Sequence, residues 1–153
     1  MRNVLLLAAV ALVLGALLVQ RHAVSAPGIV ASPTMTPGAL NPDVSQANIR
    51  DTICAAGWTK TIRPPTEYTN QLKVRQMRAY GETGDESDYQ EDHMISLELG
   101  GAPTDPRNLW PEPYPRASAM DTIENELNAK VCSGDMTLAA AQQKESIIKH
   151  TDG

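Results

Sequence analysis

The chain has 153 residues, enough for one small domain with appendages. It contains no Phe, two Trp and four Tyr, so any core has to be mostly aliphatic. A formal net charge of -5 argues against a protein that grips nucleic acid through bulk positive charge.

The first residues, Met1 to Asn3, are short and basic, and Val4 to Val19 is apolar apart from Gly15. Val24-Ser25-Ala26 is a small-residue cleavage pattern, so residues 1–26 read as a secretory signal. The run over residues 4–19 is also close to membrane-spanning length, which leaves a retained N-terminal anchor as the second reading. Either one puts the domain outside the cytoplasm, secreted or membrane-anchored. Taking Arg2 and Arg21 from the 13 basic residues leaves 11 against 18 acidic ones, a net −7.

Residues 27–47 hold Pro27, Pro33, Pro37 and Pro42 among Gly, Ser and Thr. Without apolar periodicity they read as an extended linker, with a course along the domain open to it. Residues 48–153 form the expected domain. Cys54 and Cys132 are the two cysteines. In an exported chain they predict one disulfide; in a cytosolic one they would be two buried thiols. Two cysteines without a CxxC argue against a structural zinc domain.

Gly57 to Arg63 alternates and is rich in β-branched residues, which predicts a short strand ended by Pro64-Pro65. Thr69 can cap a helix running to about Tyr80, with Gly81 as its stop. Charge divides sharply here. Residues 60–80 carry Lys60, Arg63, Lys73, Arg75 and Arg78 against Glu67 alone, whereas residues 82–98 carry only acids. Arg63, Arg75, Arg78 and, further on, Arg107 are candidates for phosphate contact on charge alone; the plainer reading is two solvated faces of opposite sign.

Residues 89–99 alternate well and predict a strand. Strict alternation would point Asp92 and His93 to opposite sides, so a shared site needs the strand to begin, bulge or twist there. Gly100-Gly101 begins a turn, and Asn108-Leu109-Trp110 predicts a short returning strand. Pro111, Pro113 and Pro115 predict irregular chain until about Ala117. A helix is expected over 118–132, with Met120, Ile123, Leu127 and Val131 as its apolar stripe. Glu124 and Asn128 are i,i+4 neighbours and can reach one point, or simply form a solvated flank. A last helix is expected from Thr137 to about Lys149, burying Leu138, Ala141 and Ile148, with His150 inert near its end.

Glu91-Asp-His93, Leu97-Glu-Leu-Gly-Gly101 and Pro106-Arg-Asn-Leu-Trp-Pro-Glu112 resemble the HNH (His-Me finger, ββα-metal) nuclease superfamily. The similarity is to its small exported bacterial members. It extends from Thr36 through Thr52-Ile-Cys54 and Tyr68-Thr-Asn-Gln-Leu-Lys73 to Val131-Cys-Ser-Gly134. It implies an α+β fold with a ββα-metal core: a short antiparallel hairpin over 91–99 and 108–110, the 118–132 helix, flanking helices and one disulfide. It implies His93 as general base, Asp92 as metal ligand, and Asn108 either holding the His-bearing backbone or ligating the ion. The family's helix supplies a last ligand, often a His; the matching position here is Asn128, with Glu124 one turn before it.

The activity implied is an exported, metal-dependent endonuclease with little sequence preference, a monomer acting on DNA in preference to RNA. A neutral histidine suits proton abstraction at pH 7, and one divalent cation would stabilise charge on the phosphate. Oxygen ligands favour Mg²⁺ or Mn²⁺ over Zn²⁺. The competing expectation is a catalytically inactive exported binding domain on the same scaffold.

Overall fold

A computed structural model describes residues 29–152; the leader or anchor expected over residues 1–26 lies outside them. The described chain contains four helices, one two-stranded antiparallel hairpin and one disulfide, an α+β arrangement. No helix among the described residues is long and apolar enough to cross a membrane.

The hairpin pairs β1 (Tyr89–His93) with β2 (Leu109–Pro113), in the register Tyr89 opposite Pro113 and His93 opposite Leu109. β1 is shorter than the alternation predicts. The chain leaves the ladder after Met94, and the Asn108 side chain closes both backbone groups of Ile95: Oδ1 accepts from Ile95 N–H at 2.9 Å and Nδ2 donates to Ile95 O at 2.9 Å. The chain turns instead into a 3₁₀ turn at Leu97–Leu99. β2 is longer than expected and runs through two prolines. Met94 N–H bonds to Asn108 O and Tyr114 N–H to Asp88 O, so Pro111 and Pro113 fall at the positions whose nitrogens face away from the partner. A two-stranded sheet has only edge strands, and there a missing N–H costs nothing in the ladder.

The strand expected from Gly57 to Arg63 is instead a short helix, α1 (Trp58–Ile62), entered through Gly57 at φ +78°. A five-residue segment can close its own local hydrogen bonds as a helical turn, without adding to a sheet edge. Helix α2 (Thr66–Tyr80) begins one turn earlier than Thr69 and ends at Gly81, which is left-handed at φ +77°. Helix α3 (Arg116–Ser133) buries Met120, Leu127 and Val131. Helix α4 (Leu138–Thr151) is capped by Thr137 Oγ1, which accepts from Ala140 N–H at 3.2 Å.

The main core joins Ile49, Ile53, Ile95, Leu99, Leu127, Val131, Leu138 and Ala141, aliphatic as the composition requires. A smaller one packs Ala31 and Met94 on Trp110. The Cys54–Cys132 disulfide ties the segment before α1 to the end of α3, Cα to Cα 5.6 Å. The proline-rich stretch is built into the domain from Ala31 onward. Ala31 N–H bonds to Lys149 O, Gly38 N–H to Arg107 O and Asn41 N–H to Gly100 O, all at 2.9–3.0 Å.

Candidate active site

His93 closes β1, and the chain bends immediately after it. That bend lets His93 and Asp92 face one cleft although neighbours on a regular strand would diverge. The cleft, about 300 Å³, lies between the hairpin end, α1 and α3, with Arg63, Gln90, Ser96, Asp121 and Glu124 on its walls. A second hollow of about 300 Å³ continues past Gln90, Arg63 and His93 toward Thr66, Thr69 and Glu91.

His93 Nε2 lies 3.0 Å from the carbonyl of Pro103. A carbonyl only accepts, so Nε2 carries the proton, and the neutral ring keeps Nδ1 as its acceptor. Burial pushes the His93 pKa below its ordinary value, against the Pro103 hydrogen bond and the Asp92 charge, which favour the proton.

Asp92 is held from below. Lys149, fully buried on α4, donates to Asp92 Oδ2, to Glu124 Oε1 and to the His93 carbonyl, each at 2.6 Å. Two more carboxylates stand behind these, Glu145 at 3.7 Å and Glu112 at 3.8 Å from Nζ. Glu145 accepts Ser96 N–H with both oxygens, and Glu112 Oε1 accepts from Arg116. Burial alone would raise Asp92, but the Lys149 ammonium and its hydrogen bond to Oδ2 hold it well below the usual carboxylate range. Burial also opposes the Lys149 charge, yet the surrounding carboxylates raise its pKa well above normal. Four acids facing one ammonium cannot all ionise, and burial pushes Glu112 up to about 8, Glu145 to about 7 and Glu124 well upward.

No protein family, no curated protein and no solved structure matches this chain.

Asn108 is fully buried and all its hydrogen-bonding is spent on the turn after His93, with Nδ2 also reaching Ala102 O at 3.0 Å. It holds backbone and does not face the cleft. Asn128 is turned away too, its Nδ2 donating to Glu98 O at 2.7 Å and Ile53 O at 3.2 Å. Of the helix pair, only Glu124 lines the cleft. Arg63 lies on the wall, whereas Arg107 is exposed and paired with Asp105 at 2.6 Å. Arg75 and Arg78 are exposed on α2 and line neither hollow.

A metal ion on Asp92, Glu124 and Asn128 would need open oxygens converging on one point. The two carboxylates already converge on the Lys149 ammonium and Asn128 does not join them. As arranged, these donors do not fit an ion, and among the described residues no group of three or more His, Cys, Asp or Glu is placed to hold one.

Lys149, Glu145 and Glu112 were not expected at a site. The signal for the first two was present: Leu138, Ala141, Glu145 and Lys149 share one helical face, so two charges interrupt an apolar stripe. Ile148, expected in the core, is only half-buried. His150 is half-buried as well, its Nε2 3.2 Å from Thr36 O.

Proposed function

We propose that this chain is an exported endonuclease that hydrolyses phosphodiester bonds with His93 as general base. The observation that carries the reading is the neutral, carbonyl-anchored His93 beside an ionised Asp92 at a polar cleft with Arg63 on its wall. In this reading His93 Nδ1 takes a proton from water, and the oxygen attacks phosphorus. The P–O3′ bond breaks, and the leaving oxygen acquires a proton. Glu124, which lines the cleft and whose pKa burial raises, is the group placed to supply it. Arg63 offsets charge on the phosphate. Asp92 and Glu124, the carboxylates the resemblance implies for a divalent ion, are engaged by Lys149.

The test uses oxidised protein spanning residues 27–153, incubated with plasmid DNA and with RNA, in Mg²⁺, Mn²⁺ or EDTA, beside His93→Ala. Cleavage that vanishes in the variant supports the reading; cleavage that survives in it overturns the assignment of His93. The second reading, a non-catalytic binding domain, is favoured by the acidic wall, where Asp92, Glu98, Asp121 and Glu124 face Arg63. A folded protein that cleaves neither substrate in any condition would establish it over the first.

A further inference from the structure

The carboxylate cluster beneath the cleft has the composition of a hard-cation site but is filled from within. Asp92 comes from β1, Glu112 from β2, Glu124 from α3 and Glu145 from α4, and all four surround one point. At that point stands the Lys149 Nζ, with three oxygens at 2.6 Å: Asp92 Oδ2, Glu124 Oε1 and the His93 carbonyl. Calcium takes oxygen ligands at about 2.3–2.6 Å, so an ion at the same point would find its first three ligands already spaced for it. Further ligands stand ready. Glu112 is fully buried, its Oε2 has no hydrogen-bond partner, and that oxygen lies 3.8 Å from Nζ. An ammonium has only three protons to give, and all three are used.

We propose that Lys149 is the resident cation of this cluster, standing where a divalent ion would bind, and that removing its ammonium turns the four carboxylates into a divalent-cation site. An ion and the ammonium compete for the same oxygens, so the native chain leaves Asp92 closed to metal. Lys149 has no surface in the cleft and cannot touch a substrate there. It acts as a positioning residue, fixing Asp92 and the backbone of His93.

The inference rests on the packing of the cluster and is tested by binding, whether or not the protein cleaves anything. Ca²⁺ and Mn²⁺ are titrated calorimetrically into native protein, Asp92→Asn, Lys149→Ala, Lys149→Gln and the double variant Asp92→Asn/Lys149→Ala. Each protein is also melted with and without the ion. Native protein and Asp92→Asn should give indistinguishable heats. Lys149→Ala should take one ion with a Kd of about 10⁻⁴ M or tighter, the range of extracellular calcium modules, and melt several degrees higher with it. The double variant should lose that binding. Lys149→Gln keeps a donor for the His93 carbonyl and should also gain an ion. The proposal is overturned if native protein binds an ion that Asp92→Asn abolishes, or if folded Lys149→Ala binds none. It is equally overturned if neither Lys149 variant folds even with the ion present, since the ion then does not replace the ammonium.

Discussion

Asn108 stands in for a strand at the point where β1 stops. Its side chain satisfies Ile95 N–H, Ile95 O and Ala102 O inside the protein, where water cannot. Asn108→Ala should therefore destabilise the fold by about 2–4 kcal/mol, measured by chemical denaturation, because it orphans three buried backbone groups. Gly101 is as constrained: a Cβ there would lie 1.7 Å from Ile95 O and 2.6 Å from Asn108 Nδ2. Gly101→Ala should cost about 3 kcal/mol, since backbone and not a flexible side chain has to move. At His93, burial lowers the pKa below 6.5, and the neutral ring is the base. The kcat/KM of cleavage should rise with pH, bend below pH 6.5 and stay flat through neutrality; a bend above that value would point to another base.

At the scale of elements, local signals gave good guidance wherever local hydrogen bonds decide. Gly81 stops α2, Thr137 caps α4 and the stripe of Met120, Leu127 and Val131 marks α3. The failures came where pairing decides. Residues 58–62 alternate like a strand but close local helical bonds instead, and residues 94–99 leave the ladder for a 3₁₀ turn whose backbone Asn108 ties at Ile95. Prolines at 111 and 113 argued against a strand, yet their places in the ladder need no donor. The disulfide joins elements 78 residues apart, a long loop in the unfolded chain. Reduction should lower unfolding stability by about 4 kcal/mol on the chain-entropy account, checked by denaturation with and without reductant.

For the whole molecule, buried carboxyls set how stability follows pH: four surround Lys149, and burial pushes Glu91 up to about 8 as well. Glu112 at about 8 and Glu145 at about 7 stand above the ordinary 4.5, so the folded state keeps protons that the unfolded chain has released. Their stabilising effect is full below pH 4.5 and is lost as pH rises toward 8. Asp92 acts in the opposite sense: its contribution is present above its ordinary 3.8 and disappears as pH falls below that value. Thermal midpoints should thus peak on the acid side of neutrality and fall toward pH 8. Glu145→Gln should flatten that fall, and an unchanged slope would remove Glu145 from the titrating set.

The sequence by itself determined three helices, two strands in outline and an aliphatic core, because periodicity and caps are properties of neighbouring residues; with only two cysteines, it also left one possible disulfide. It also singled out Asp92 and His93 as a pair. Only the tertiary structure decided that both face one cleft, that Asn108 and Asn128 are occupied with backbone, and that Lys149 sits among Asp92, Glu112, Glu124 and Glu145. Those residues are dispersed over more than fifty positions of the chain. The energy that joins them is the cost of leaving a buried charge unpaired, which no local pattern encodes.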